Sequence, residues 1–215
     1  YENMISDYFL LWGDAGKKIL EKYIDKKRLL VAGNPNYLAI KKIKRKNFNP
    51  AIGAVSLDYP QYDESNFEVI NTIKDFTKKN ESIKFYFSLH PDLDKNKKIK
   101  KIKGDNIELW NEGKGGWLEQ IKKSDFLIVH NTTIALESLK FQIPILRYKD
   151  GTSAEMSIPT NYFSDAKELE DLISKLKNEK NFGAAYYESY LENFYQPKKI
   201  SIPEYYRRTI LINVA

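Results

Sequence analysis

Short apolar runs alternate along this chain with stretches of helical spacing, a pattern that predicts parallel strands joined by helices. Asp7 to Trp12 is an apolar run closed by Gly13, and Ala15 to Ile24 then carries Ile19, Leu20 and Tyr23 at helical spacing. Arg28 to Ala32 is a second run, ending at the turn Gly33-Asn34-Pro35. Ala51 to Leu57 predicts a strand, Asp58 to Asp63 with Pro60 a loop, and Glu64 to Lys79 a helix marked by Phe67, Ile70, Ile73 and Phe76. Ile83 to Leu89 is a strand that stops at His90-Pro91, and Ile107 to Trp110 a shorter one. Gly113 to Gly116 reads as a turn and Trp117 to Lys123 as a short helix. Phe126 to Val129 is unbroken apolar sequence, as expected of a strand covered on both faces. Ile134, Leu136 and Leu139 then fit a short helix, and Pro144 to Tyr148 the next strand. Lys149 to Thr160 is an irregular loop with Gly151, Thr152 and Ser153, and Ala166 to Leu176 sets Leu169, Leu172, Ile173 and Leu176 on one helical face. The tyrosine-rich tail from Phe182 to Ala215 is helical in part and broken by Pro197 and Pro203. The expected fold class is therefore α/β: a Rossmann-like, mostly parallel sheet with helices on both faces over residues 1–180, and a carboxyl-terminal tail, residues 181–215, packed upon it.

Composition narrows the chemistry. With 15 tyrosines and 11 phenylalanines among 215 residues, the chain has the apolar material for a core despite 30% charged residues. The sequence contains no cysteine and two histidines, so disulfides and thiolate or multi-histidine metal sites are set aside, and no metal or cofactor is expected. A net charge of +6 favours anionic partners. Nucleic acid is not expected, because the lysine clusters at Lys41 to Lys46 and Lys95 to Lys103 accompany no nucleic-acid motif and suit solvated loops.

Candidate chemistry gathers where apolar runs turn polar. In an open parallel sheet the ligand crevice lies beyond the carboxyl ends of the strands. His130-Asn131-Thr132-Thr133 stands at such an end, where Asn131 or Thr132 could cap the following helix and the turn could hold a phosphate. Capping alone explains the same residues. Glu137 is a carboxylate on an otherwise apolar or small helix, with a ribose diol or a lysine as its partner. His90, kept extended by Pro91, is placed at the rim of the same crevice, to meet either a phosphate or a neighbouring carbonyl. Gly33 permits close backbone approach to a ligand, but serves equally as a plain turn residue. His130 reads as structural or as a support for the residues that meet the ligand.

Three segments together carry a resemblance: Leu10-Leu11-Trp12-Gly13 with Arg28 to Pro35, then Phe87-Ser88-Leu89-His90-Pro91, then Ser124-Asp125-Phe126-Leu127-Ile128 with Thr132-Thr133 and Glu137. Their order over roughly Asp7 to Leu176 resembles the carboxyl-terminal, donor-binding half of bacterial GT-B glycosyltransferases of surface and capsular polysaccharide synthesis. Bacterial sialyltransferases and CDP-glycerol glycerophosphotransferases are similar. The resemblance implies a nucleotide-activated sugar as donor, a glycan as acceptor, and donor contacts from His90, Thr132, Thr133 and Glu137, with His90 also catalytic; Pro91 beside His90, Asn131 in the turn and Gly33 are the further candidates for donor contact. It implies a cytoplasmic enzyme, with a peripheral position at the inner membrane surface left open. Asn-Thr-Thr stands where serine is usual, and nothing precedes the Asp7 strand to supply an acceptor domain and base, so the expectation is a half-enzyme. A polyol-phosphate transferase of the CDP-glycerol type and a non-catalytic nucleotide-binding module are the other readings.

Overall fold

The computed structural model describes residues 6–34, 51–93, 102–110, 115–138, 141, 143–151, 161–178, 203–204, 206–208 and 211, with only the backbone of Leu136 and Glu137. Residues 35–50, the 152–160 part of the loop after Tyr148 and most of the tail lie outside these. The chain forms two compact units, Tyr1–Lys41 with Ala184–Ala215, and Lys42–Gly183.

In the first unit, strands β1 (Phe9–Leu11) and β2 (Leu29–Val31) pair in parallel around helix α1 (Asp14–Leu20). The helix is shorter than its spacing predicts: the Tyr23 and Ile24 N–H groups both bond the Leu20 carbonyl and close a turn. Ile24 is buried there, whereas Ile19 and Tyr23 are exposed, so the expected apolar face of Ile19, Leu20 and Tyr23 is not the packed one. Gly33 has φ 89, a left-handed conformation that glycine adopts without strain. Its N–H bonds the Leu11 carbonyl and its own carbonyl accepts from the Tyr206 hydroxyl.

The second unit is a six-stranded sheet with every strand pair parallel, in the order β5-β4-β3-β6-β7-β8. The strands are β3 (Ile52–Ser56), β4 (Lys84–Ser88), β5 (Ile107–Leu109), β6 (Phe126–Val129), β7 (Ile145–Tyr148) and β8 (Asn161–Phe163). The helices are α2 (Asp63–Thr77), α3 (Trp117–Lys123), α4 (Ile134–Ser138) and α5 (Ala166–Asn178). Strand β8 has no counterpart in the sequence pattern, because three residues beginning with Asn161 are too few to show a period.

Alternation along each strand builds one apolar face from Val55, Phe85, Phe87, Phe126, Ile128, Leu146 and Tyr148. Helices α2 and α5 cover it with Val69, Ile70, Ile73 and Phe76 and with Leu169, Leu172, Ile173 and Leu176. Helix α3 serves the opposite face, where Gln120 bonds the Ser88 hydroxyl and the Tyr86 carbonyl. Gly53 lies in register with Phe85 on one side and Phe126 on the other. Those two rings meet edge to face with centroids 6.0 Å apart, over a backbone that has no side chain to separate them. Asp125 pins the start of β3, its Oδ2 accepting the N–H groups of Ala51 at 2.9 Å and Ile52 at 3.0 Å.

Candidate functional site

The order in which successive strands are added reverses between β3 and β6: they spread outward from β3 in one direction and from β6 in the other. A crevice opens outside the carboxyl ends of the strands at such a reversal, because the connections leave to opposite faces. Ser56, the last residue of β3, pairs with Ser88 of β4 and Val129 of β6. Asp58, His90 and His130-Asn131 therefore all follow strand ends at one edge of the sheet.

The turn after β6 is held by charged side chains from its neighbours. Asp58 Oδ2 accepts the Asn131 N–H at 2.9 Å. From β7, Arg147 Nε donates to the His130 carbonyl at 2.7 Å and Nη2 to Asn131 Oδ1 at 2.6 Å. The His130 ring is buried, with Nε2 3.1 Å from Asp150 Oδ1 and Nδ1 3.8 Å from Asp58 Oδ2, and it packs edge to face on Tyr62 and Tyr148. Both ring nitrogens of His130 thus face carboxylates. Asp58 is itself fixed by helix α2, where buried Asn66 accepts the Asp58 N–H and donates to the Asp58 carbonyl.

Further along the turn, Thr132 caps α4, its hydroxyl accepting the Ile134 N–H at 3.4 Å and its carbonyl the Ala135 N–H. Thr133 is exposed. The N–H groups of Thr132 and Thr133 have no hydrogen-bond partner among the described residues, whereas that of Asn131 is taken by Asp58. The turn therefore offers a ligand two N–H groups and the exposed Thr133 hydroxyl. Glu137 belongs to α4, and its side chain lies outside the described residues.

His90 joins this edge through an aromatic contact. Its ring lies 3.8 Å from that of Tyr59, the residue after Asp58, and Tyr59 N–H bonds Asp58 Oδ1. The Asp92 N–H donates to His90 Nδ1 at 3.2 Å, so in the neutral ring the proton sits on Nε2. That nitrogen is a hydrogen-bond donor set by the backbone on its far side. Pro91 is exposed in the turn that follows. His90, Asn131, Thr132 and Thr133 are thus linked through Asp58 and Tyr59, two residues that the sequence pattern left in a loop. Gly33 belongs to the other unit.

No protein-family model matches the chain, and no curated protein matches it. Solved structures do. The Methanocaldococcus jannaschii UDP-GlcNAc 2-epimerase, in complex with UDP-GlcNAc and UDP, is similar over 97% of this chain and 61% of that one, with TM-score 0.64 and 16% identity. UDP-GlcNAc 2-epimerase from Neisseria meningitidis, bound to UDP-GlcNAc, is similar over 97% and 62%, with TM-score 0.63 and 17% identity. The lipopolysaccharide outer core galactosyltransferase WaaB is similar over 96% and 62%, with TM-score 0.52 and 15% identity. The chain thus spans about three fifths of the length of these structures. Among the described residues no helix is long and apolar enough to cross a membrane. The likenesses and the all-parallel strand pairing together establish the fold class: a Rossmann-like α/β sheet of the kind found in GT-B proteins.

Proposed function

We propose that this chain binds the nucleotide part of an activated sugar donor at the β3–β6 edge, as the donor-binding portion of a glycosyltransferase of bacterial surface polysaccharide synthesis. The observation that carries the reading is the turn at the sheet's reversal point. Asp58 and Arg147 hold it, and among the described residues the Thr132 and Thr133 N–H groups have no partner beside the exposed Thr133 hydroxyl. Donors of this kind suit a diphosphate, and UDP and UDP-GlcNAc occupy the similar epimerase structures. In sugar transfer, negative charge grows on the departing phosphate, and fixed donors aimed at it lower the barrier without reorganising. His90 has that role in this reading: its Nε2–H, set by the Asp92 N–H, bonds the leaving phosphate. Glu137 would bond the ribose, as the family resemblance implies.

A second reading, epimerisation of a UDP-sugar, is favoured by the two epimerase likenesses and needs the same nucleotide site. Calorimetry with UDP, CMP, CDP and GDP and their sugar conjugates tests both. The expected result is UDP binding that His90→Ala weakens by about tenfold, the scale of a hydrogen bond to a charged group. Selective binding of CDP-glycerol would move the assignment to polyol-phosphate transfer, and binding of no nucleotide would remove it. Where UDP-GlcNAc binds, conversion to its epimer without acceptor selects the epimerase reading over transfer.

A further inference from the structure

Arg147 is the one buried charged residue among the described strands of the six-stranded sheet, in a strand otherwise made of Ile145, Leu146 and Tyr148. Burying a guanidinium in a strand is costly unless its donors are matched and its charge is used. Two of its nitrogens are matched, Nε by the His130 carbonyl and Nη2 by Asn131 Oδ1. Nη1 is buried with no hydrogen-bond partner among the described residues, and the guanidinium carbon lies 5.8 Å from the Tyr162 ring centroid. Both acceptors are neutral oxygens. The nearby carboxylates, Asp58 and Asp150, are directed at His130 and the Asn131 N–H, and neither forms an ion pair with Arg147. Among the described residues the guanidinium therefore has no carboxylate partner, in a setting where water screens little.

We propose that Arg147 is a positioning residue for the phosphate end of the ligand. It fixes the His130–Asn131 turn through two bonds at once and gives that turn a standing positive charge. Bonding Asn131 Oδ1 orients the amide so that its NH2 faces away from the guanidinium. Fixing the His130 carbonyl, together with Asp58 on the Asn131 N–H, sets the plane of the peptide from which Thr132 and Thr133 follow. A planar fork makes both bonds simultaneously, whereas a lysine ammonium at this position would hold one acceptor or the other.

The role rests on the donor-binding reading, and it predicts a loss confined to ligands that carry phosphate. Arg147→Met and Arg147→Lys are compared with the wild type for binding of uridine, UDP and inorganic pyrophosphate, with melting temperature recorded for each. Expected is a loss of about tenfold or more for UDP and pyrophosphate, with uridine changed by less than about twofold, since charge-assisted contacts alone are removed. Should Arg147→Met not fold, Arg147→Lys carries the test, because it keeps the charge and loses the fork. Unchanged UDP and pyrophosphate affinity in the variants would overturn the proposal while leaving the donor reading intact. An equal loss for all three ligands that tracks the melting temperature would also overturn it, assigning Arg147 to folding alone. Arg147-dependent pyrophosphate binding in a protein that binds no nucleotide would uphold it and sink the donor reading. A wild type that binds none of the three ligands would remove both.

Discussion

The peptide between His130 and Asn131 is gripped from both sides, its N–H by Asp58 and its carbonyl by Arg147. Thr132 and Thr133 come after that anchored peptide; Thr132 caps α4 through its hydroxyl, whereas changing Thr133 alters what the turn offers without loosening it. Thr133→Val is expected to weaken UDP binding by about tenfold at nearly unchanged melting temperature, whereas Thr132→Val should also lower stability by about 1 kcal/mol through loss of the cap, read by calorimetry and thermal denaturation. Tyr148 supports a different measurement. Burial, and then its hydrogen bond to Glu68 Oε2, push the phenol from 10.0 up to about 12. A pKa higher in the folded than in the unfolded chain means that folding favours the neutral phenol. Its contribution is whole below pH 10 and is lost as pH rises through about 12. Tyr148→Phe should remove that part of the alkaline slope, on the order of 2 kcal/mol between these limits, in urea titrations run at several pH values. An identical slope in both proteins would show that Tyr148 is not the group responsible. The residues of the turn and His90 were legible in the sequence, because an apolar run that turns abruptly polar is a local signal. Asp58 and Arg147 were not. Asp58 stands 73 residues from the N–H it accepts, and Arg147 reads only as one polar residue inside an apolar strand.

Among the elements, strand β3 shows how a small residue is needed by its neighbours. A methyl group on Gly53 would lie 2.8 Å from Phe126 Cζ and 2.8 Å from Phe85 Cδ1, on rings that are both fully buried. Neither ring can withdraw into a packed core, so Gly53→Ala is expected to cost about 1–3 kcal/mol in chemical denaturation. A neutral or stabilising result would mean that the two rings repack freely. The strand itself was readable from Ala51 to Leu57, since period and β-branching are carried by the residues present. That Gly53 makes room for facing aromatics was not, because the crowding comes from two other strands. Similarly, helix α2 was legible from Phe67, Ile70, Ile73 and Phe76, whereas the use of Asn66 to hold Asp58 appears only once β3 and α2 are packed. The first helix misled: Ile19 and Tyr23 have the spacing of a buried face, yet both are exposed, and Ala15 and Ile24 are buried instead.

For the whole six-stranded unit, the recurring strand and helix pattern determined parallel pairing and left the order of strands open, because order depends on which crossover goes which way. In the order observed, the sheet is two sequence-local halves, β3 to β5 and β6 to β8, joined along the β3–β6 seam. Asp125 belongs to that seam through its bonds to Ala51 and Ile52. Removing the carboxylate in Asp125→Ala should destabilise the protein by about 1.5–3 kcal/mol, the range for hydrogen bonds to a charged group. The same seam has a kinetic consequence. Each half can assemble from contacts close in sequence, whereas closing the seam brings together residues as far apart as Ile52 and Asp125, 73 positions along the chain. The entropy of that closure is lost before the new contacts form, which makes the joining step slow. Asp125→Ala should therefore lower the refolding rate more than it raises the unfolding rate in stopped-flow measurements, whereas Gly53→Ala, whose crowding is complete only in the finished core, should chiefly accelerate unfolding.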